Sequence, residues 1–234
     1  IFLHEIVSLL SLHKTTHSCA GRCSQLKQTP LIKKKTLIWI IVIWILITLI
    51  NYYYTNFFIL AFIWLGMSLI FGIGTIIQIV KLIRERKKLP KFRILKVVVF
   101  ALLFILTFQR KIPNGIIEKT DWNILKNKRT EIVEQIKRNE IKGKGTSGNG
   151  IFELPFEFPV VSNGGNDVWV FKNKENESVT IQFWVFRNFF DSPSTYFVYS
   201  NDKKRISDLE QKIKENPENN WKLDENWYRI YGGY

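Results

Sequence analysis

The sequence has few of the residues from which most active sites and metal centres are built. Its 234 residues include two cysteines, three histidines and one methionine, Met67. Cys19 and Cys23 stand in a C-x-x-x-C spacing, which is not a zinc knuckle. No second pair completes a set of four ligands, so they read as incidental thiols. His4, His13 and His17 all fall in the first seventeen residues. Residues 112–234 contain neither cysteine nor histidine, which excludes thiol nucleophiles, histidine bases and disulfides from that stretch. A domain without disulfides is compatible with either side of a membrane.

Acidic residues are scarce in the first half of the chain. Residues 1–111 carry two, Glu5 and Glu85, against sixteen lysines and arginines, whereas residues 112–234 carry eighteen of each sign. The net charge of +14 therefore belongs entirely to the first half. Nucleic-acid binding needs positive charge on the folded domain, because phosphate neutralisation supplies most of the affinity, and the balanced second half has none to spare. Nucleic acid is not expected as a partner.

Three runs are almost free of charge. Residues 36–50 read TLIWIIVIWILITLI and continue into Tyr52, Tyr53 and Tyr54, whose rings suit the headgroup level. Residues 57–80, FFILAFIWLGMSLIFGIGTIIQIV, span about 36 Å as a helix, enough for hydrocarbon roughly 30 Å thick. Residues 94–108, ILKVVVFALLFILTF, are shorter, and Lys96 is expected to snorkel outward. The two long runs are apolar on every face and lack the polar stripe of a surface helix in a soluble protein. Gly66, Ser68, Gly72 and Gly74 give the second run a small-residue patch suited to close helix packing. No Asp, Glu or His occurs in any run, which argues against a proton relay or transport pathway.

Between the second and third runs lies KLIRERKKLPKFR (81–93), with seven basic residues. Lys33, Lys34 and Lys35 precede the first run, and the NYYYTN link between the first two is uncharged. Basic flanks stay on the cytoplasmic side. This predicts an inner-membrane protein with its N-terminus inside and residues 112–234 exported after a third crossing. Arg110, Lys111, Lys119 and Lys126 run against that bias. If the third run does not cross, the chain is a membrane adaptor facing the cytoplasm.

The expected organisation is a tail at 1–35, of uncertain order, and a membrane region at 36–108 with spans near 36–54, 57–80 and 92–108. An extracytoplasmic α+β domain follows at 112–234. The tail is too polar to span, and Glu5 ahead of its apolar part is a poor fit to a cleavable signal. In the distal domain, Thr120-Asp121 reads as an N-cap for a helix over 121–138 with Trp122, Leu125, Ile132, Val133 and Ile136 inward. The glycines of GKGTSGNG (143–150) follow a helix and precede a strand, the reverse of a dinucleotide loop. Strands are expected at 151–154, 160–161, 168–171, 179–186 and 195–200. Asp202 is expected to cap a helix over 203–215 with Ile206, Leu209 and Ile213 inward. The aromatic ending could dock as a short strand. The fold class is thus two or three transmembrane helices followed by a small α+β domain, with an antiparallel sheet of about four strands flanked by helices.

Along 179–186, Val179, Ile181, Phe183 and Val185 fall on one face and Thr180, Gln182, Trp184 and Phe186 on the other. Trp169, Phe171, Trp184 and Phe186 are the candidate partner-binding platform; the alternative is that helix or tail covers both faces. No catalytic, cofactor or metal site is expected. Glu153 and Glu157 flank Pro155, but neighbours in sequence are not a pair across a substrate, and Asp191 and Asp202 read as solvated loop acids. Asn176-Glu-Ser178 is a glycosylation sequon only in a host that modifies exported chains. The expected role is non-catalytic: an interaction, accessory, sensor or protective (immunity-type) domain whose partners are the bilayer and another envelope protein. The alternative is an envelope enzyme using carboxylates.

Overall fold

The computed structural model describes residues 34–54, 57–84, 91–141, 149–155, 158–173, 177–187 and 193–232. The tail with its cysteines and histidines, most of the glycine connector, Glu157, Asn176 and Asp191 lie outside the described residues.

Four helices come first: α1 (Lys34–Tyr54), α2 (Phe57–Arg84), α3 (Lys91–Phe108) and α4 (Lys111–Lys137). By length and apolarity α1 and α2 can each cross a bilayer. α3 reaches that standard only jointly with α4, from which it is bent by 75°. Side-chain hydrogen bonds join α1–α3, the kind of contact that holds helices together where the hydrophobic drive for their association is missing. Trp44 Nε1 donates to Thr107 Oγ1 at 2.8 Å, joining α1 to α3, and the Arg93 guanidinium donates to Gln78 Oε1 at 3.4 Å, joining α3 to α2. Phe71 and Phe100 meet edge to face at 6.2 Å. Gly72 lets α2 approach α3, since a Cβ there would lie 3.2 Å from the Phe104 ring, whereas Gly66 faces open space. Large apolar side chains such as Trp39, Phe62, Leu65 and Ile76 cover the outside of these helices.

Two sequence expectations change in this region. Lys96 does not snorkel; it is 1% exposed, with its ammonium 4.6 Å from the centre of the Phe92 ring. The cause is helical phase: Lys96, Phe100, Leu103 and Thr107 form the buried stripe of α3. Helix α4 begins ten residues ahead of the expected cap. Pro113 stands in its first turn, where a missing N–H removes no intrahelical bond. Asp121 is therefore not a cap but a buried residue in mid-helix.

The sheet has six strands, not four: β1 (Gly150–Glu153), β2 (Asp167–Asn173), β3 (Ser178–Phe186), β4 (Thr195–Ser200), β5 (Trp221–Asp224) and β6 (Trp227–Tyr231). Their order is β1-β2-β3-β4-β6-β5 and every pair is antiparallel. The two extra strands are the aromatic ending, which folds as a hairpin with Asn226 at φ 60, a conformation Asn tolerates. Val160 and Val161 are buried but form no strand. One helix, α5 (Lys203–Glu215), comes between β4 and β5 and is capped as expected by Asp202, whose carboxylate accepts from the amides of Lys204 and Arg205.

Both sheet faces are covered over part of their area. Residues Trp122, Ile132, Val133 and Ile136 of α4 pack with Val168, Val170, Val179, Ile181, Phe183, Val185 and Phe197. On the opposite face Ile206, Leu209 and Ile213 of α5 pack with Trp184, Tyr196, Val198, Tyr228 and Ile230. Lys172 reaches from β2 to the C-terminal end of α4, donating to Ile136 O at 3.0 Å and to Asn139 Oδ1 at 2.6 Å; burial lowers its pKa.

The contrast between the two glycines yields a prediction. Gly72→Leu forces α2 away from Phe104 and costs about 1–3 kcal/mol, while Gly66→Leu costs little. Thermal unfolding of both variants in detergent checks this; equal melting temperatures contradict the α2–α3 packing.

Candidate functional site

The inward stripe of α4 runs Trp122, Leu125, Arg129, Ile132, Val133, Ile136. The seven-residue gap between Leu125 and Ile132 is occupied by an arginine. Arg129 and Asp121 are each 1% exposed. The guanidinium NH2 of Arg129 lies 2.6 Å from Asp121 Oδ2, its Nε donates to Val161 O at 2.9 Å, and its plane sits 4.8 Å from the Phe197 ring centre. The other carboxylate oxygen, Oδ1, accepts from Tyr53 Oη at 3.0 Å. Tyr53 also accepts a backbone bond from Gly164, which sits at φ +75 in the turn before β2. The end of α1, the middle of α4 and the loops flanking β2 thus converge on one buried ion pair. Burial is the largest influence on the Asp121 carboxyl and holds it above its ordinary value of 3.8, against the pull of Arg129 and Tyr53.

The remaining well-placed acids are similarly engaged. Asp167 accepts from Arg187 at 3.0 Å, and Glu118 on α4 accepts from Arg229 on β6 at 2.7 Å. Asp202 is 8% exposed rather than a solvated loop acid: besides capping α5 it accepts from Ser178 Oγ at 2.6 Å. Among the described residues no group of three or more His, Cys, Asp or Glu side chains is arranged to hold a metal ion.

The four aromatics of the expected platform occupy three different surroundings. Trp184 is 7% exposed, under α5, with its ring 4.5 Å from that of Tyr196. Phe186 is half-buried beyond a bulge; the register shift between Trp184 and Phe186 breaks the strict alternation on which the sequence reading relied. Trp169 and Phe171 stay together on β2, stacked at 5.4 Å and 24°. Trp169 is 37% exposed, and its partner across the strand pair, Ile151 on β1, is 46% exposed. Sequence reasoning missed Ile151; its alternation with Phe152, which points into the core, was the available signal. The outcome is a strip of Ile151, Trp169 and Phe171 on the β1–β2 side of the sheet, beyond the part that α5 packs against, flanked by the Arg205 guanidinium at 5.8 Å from Phe171.

Comparison with protein-family models, with curated proteins and with solved structures finds no match to this chain.

The buried pair generates two predictions, both read by thermal unfolding in detergent. Asp121→Ala and Arg129→Met each cost about 3–5 kcal/mol, because each leaves a buried charge uncompensated, and the double variant Asp121→Leu/Arg129→Met recovers most of the loss. Because the folded-state pKa of Asp121 is raised, its contribution to stability is full below pH 3.8 and is lost as pH rises through the raised value. The stability advantage of the wild type over Asp121→Asn is therefore largest at the acid end of a pH series and narrows as pH rises; a gap that widens with pH contradicts this assignment.

Proposed function

We propose that this chain is an integral protein of a bacterial cytoplasmic membrane. In this reading α1–α3 cross the bilayer and residues 112–234 form an exported, non-catalytic domain that binds another envelope protein. The observation that carries the sidedness is the placement of charge along the helices. Lys81 and Arg84 close α2, and Lys91 and Arg93 open α3, at the ends remote from Tyr53 and the sheet. Basic helix ends remain in the cytoplasm, so the sheet at the opposite ends belongs outside.

The partner surface in this proposal is the strip of Ile151, Trp169 and Phe171. It is apolar, aromatic and beside β1, an edge strand of the sheet. An extended segment of a partner protein adding to β1 would cover the strip while pairing an edge that no described strand occupies, a mode in which backbone bonds give affinity and side-chain contacts give specificity. A binding rather than a catalytic role is supported by the engagement of Asp121, Asp167, Glu118 and Asp202 in structural contacts. An accessory, sensing or protective task is consistent with such a domain.

Fusions of a phosphatase reporter that is active only outside the cytoplasm, placed after residues 111 and 234, are expected to be active at both positions. Silence at both places the domain in the cytoplasm and overturns the sidedness. A photo-crosslinking residue at position 169 in intact cells is expected to give one discrete adduct that Ile151→Lys abolishes. The same pattern from position 214, on the exposed side of α5, contradicts a specific surface.

A further inference from the structure

Where α1 and α2 meet the sheet lies a cavity of about 1140 Å³. Its walls come from the end of α1, the start of α2, the first three turns of α4, the turn before β2, strand β5, and the ends of β3, β4 and β6. Two features set it apart from a packing defect. Trp64 lines it and is 6% exposed, yet its indole N–H has no hydrogen-bond partner among the described residues; the hydroxyl of Tyr52, also in the lining, is likewise buried and unmatched among them. Buried donors without acceptors are rare and costly, so two in one cavity indicate an acceptor that the described residues do not supply; Asn163 Oδ1, a buried acceptor in the same lining, is likewise unmatched among them. The rim is basic: Arg110, Lys111 and Lys119 line the cavity and are exposed to solvent. The one acid in the lining, Glu118, is neutralised by Arg229.

These same three residues run against the charge bias expected for the outer end of a span. The fourth, Lys126, is accounted for by its contact with Asp224; the other three share the cavity mouth. The geometry points to a phosphate group, carried on a membrane lipid, as the occupant, with its oxygens toward Arg110, Lys111 and Lys119 and the buried donors Trp64 and Tyr52.

The lipid, rather than a free anion, is argued from the depth of the site. Trp64 lies seven residues into α2, about 10 Å along its axis. α4 leaves α3 at 75° and exposes Ile112, 50%, and Ile116, 65%, beside the basic rim. A helix that turns across the end of a span with isoleucines and basic residues outward is built to lie in the headgroup layer. The mouth of the cavity therefore opens at the depth where lipid phosphates are found, and positive charge there attracts anionic lipids. This inference rests on the membrane embedding proposed above. Recovery of the wild-type chain as a monodisperse species without detergent would defeat that embedding separately from the ligand test.

The test uses the full chain in a neutral detergent, with thermal unfolding followed by intrinsic fluorescence. The probes are dioctanoyl phosphatidic acid, dioctanoylglycerol and inorganic phosphate. Phosphatidic acid alone is expected to raise the melting temperature saturably. The concentration giving half the effect is expected to increase by about tenfold or more in the combined variant Arg110→Gln/Lys111→Gln/Lys119→Gln, and to increase also in Trp64→Phe. The proposal is overturned if phosphatidic acid gives no shift, if dioctanoylglycerol shifts the protein equally, if inorganic phosphate reproduces the shift, or if the variants respond as the wild type does.

Discussion

The Asp121–Arg129 pair is the contact on which the rest of the architecture depends. Taking a carboxylate and a guanidinium out of water costs several kcal/mol per ion, which their mutual attraction offsets only when the leftover hydrogen-bonding groups are also satisfied. Here they are satisfied by pieces of chain far apart in sequence: Tyr53 at the end of α1, and the carbonyl of Val161 ahead of β2. The pair cannot form unless those pieces arrive together, and they cannot arrive together without fixing the end of an apolar helix against a sheet. A hydrophobic pair of similar size would hold the position more cheaply but would not specify which loop and which helix end must meet there.

That constraint explains why the domain is not simply tethered. α4 is both the second arm of the elbow with α3 and the helix that packs on the sheet, so the orientation of the bundle is transmitted directly into the core through Trp122, Ile132, Val133 and Ile136. Glu118 and Arg229 add a second tie between α4 and β6 nearer the bilayer end. The sheet face away from α4 is then left to α5, which packs against Trp184, Tyr196, Val198, Tyr228 and Ile230, while Ile151 and Trp169 stay open. The exposed strip and the basic-rimmed cavity lie in separate places because different elements cover the two faces.

What was legible in the sequence follows physical period and charge. The long apolar helices announced themselves by the absence of charge, and β2, β3 and β4 by alternation; the α5 cap was readable because Asp202 precedes an i, i+3, i+7 apolar pattern. The hairpin of β5 and β6 was hidden because Lys222, Asp224, Glu225 and Arg229 dilute its alternation, and only Asn226 marks the turn. The start of α4 was hidden because Pro113, Asn114 and Gly115 are poor helix formers, although the proline sits in the first turn, where a helix has a free amide to spare. Within the candidate site, Trp169 and Phe171 were legible as strand aromatics. The displacement of Phe186 by a bulge depends on the pairing of β3 with β4, and the roles of Asp121, Arg129 and Tyr53 depend on contacts between separate elements, up to 68 residues apart for Tyr53 and Asp121, which no local pattern encodes.

The central claim is that the end of α1 is welded to the α+β domain through the buried carboxylate. A double-mutant cycle between Tyr53→Phe and Asp121→Asn, measured as unfolding free energies of the full chain in detergent, tests it directly. The account predicts a coupling of roughly 0.5–3 kcal/mol between the two positions, the range for residues in one hydrogen-bonded network. Strict additivity of the two substitutions would contradict it, because it would mean that the helix end and the domain do not share this contact.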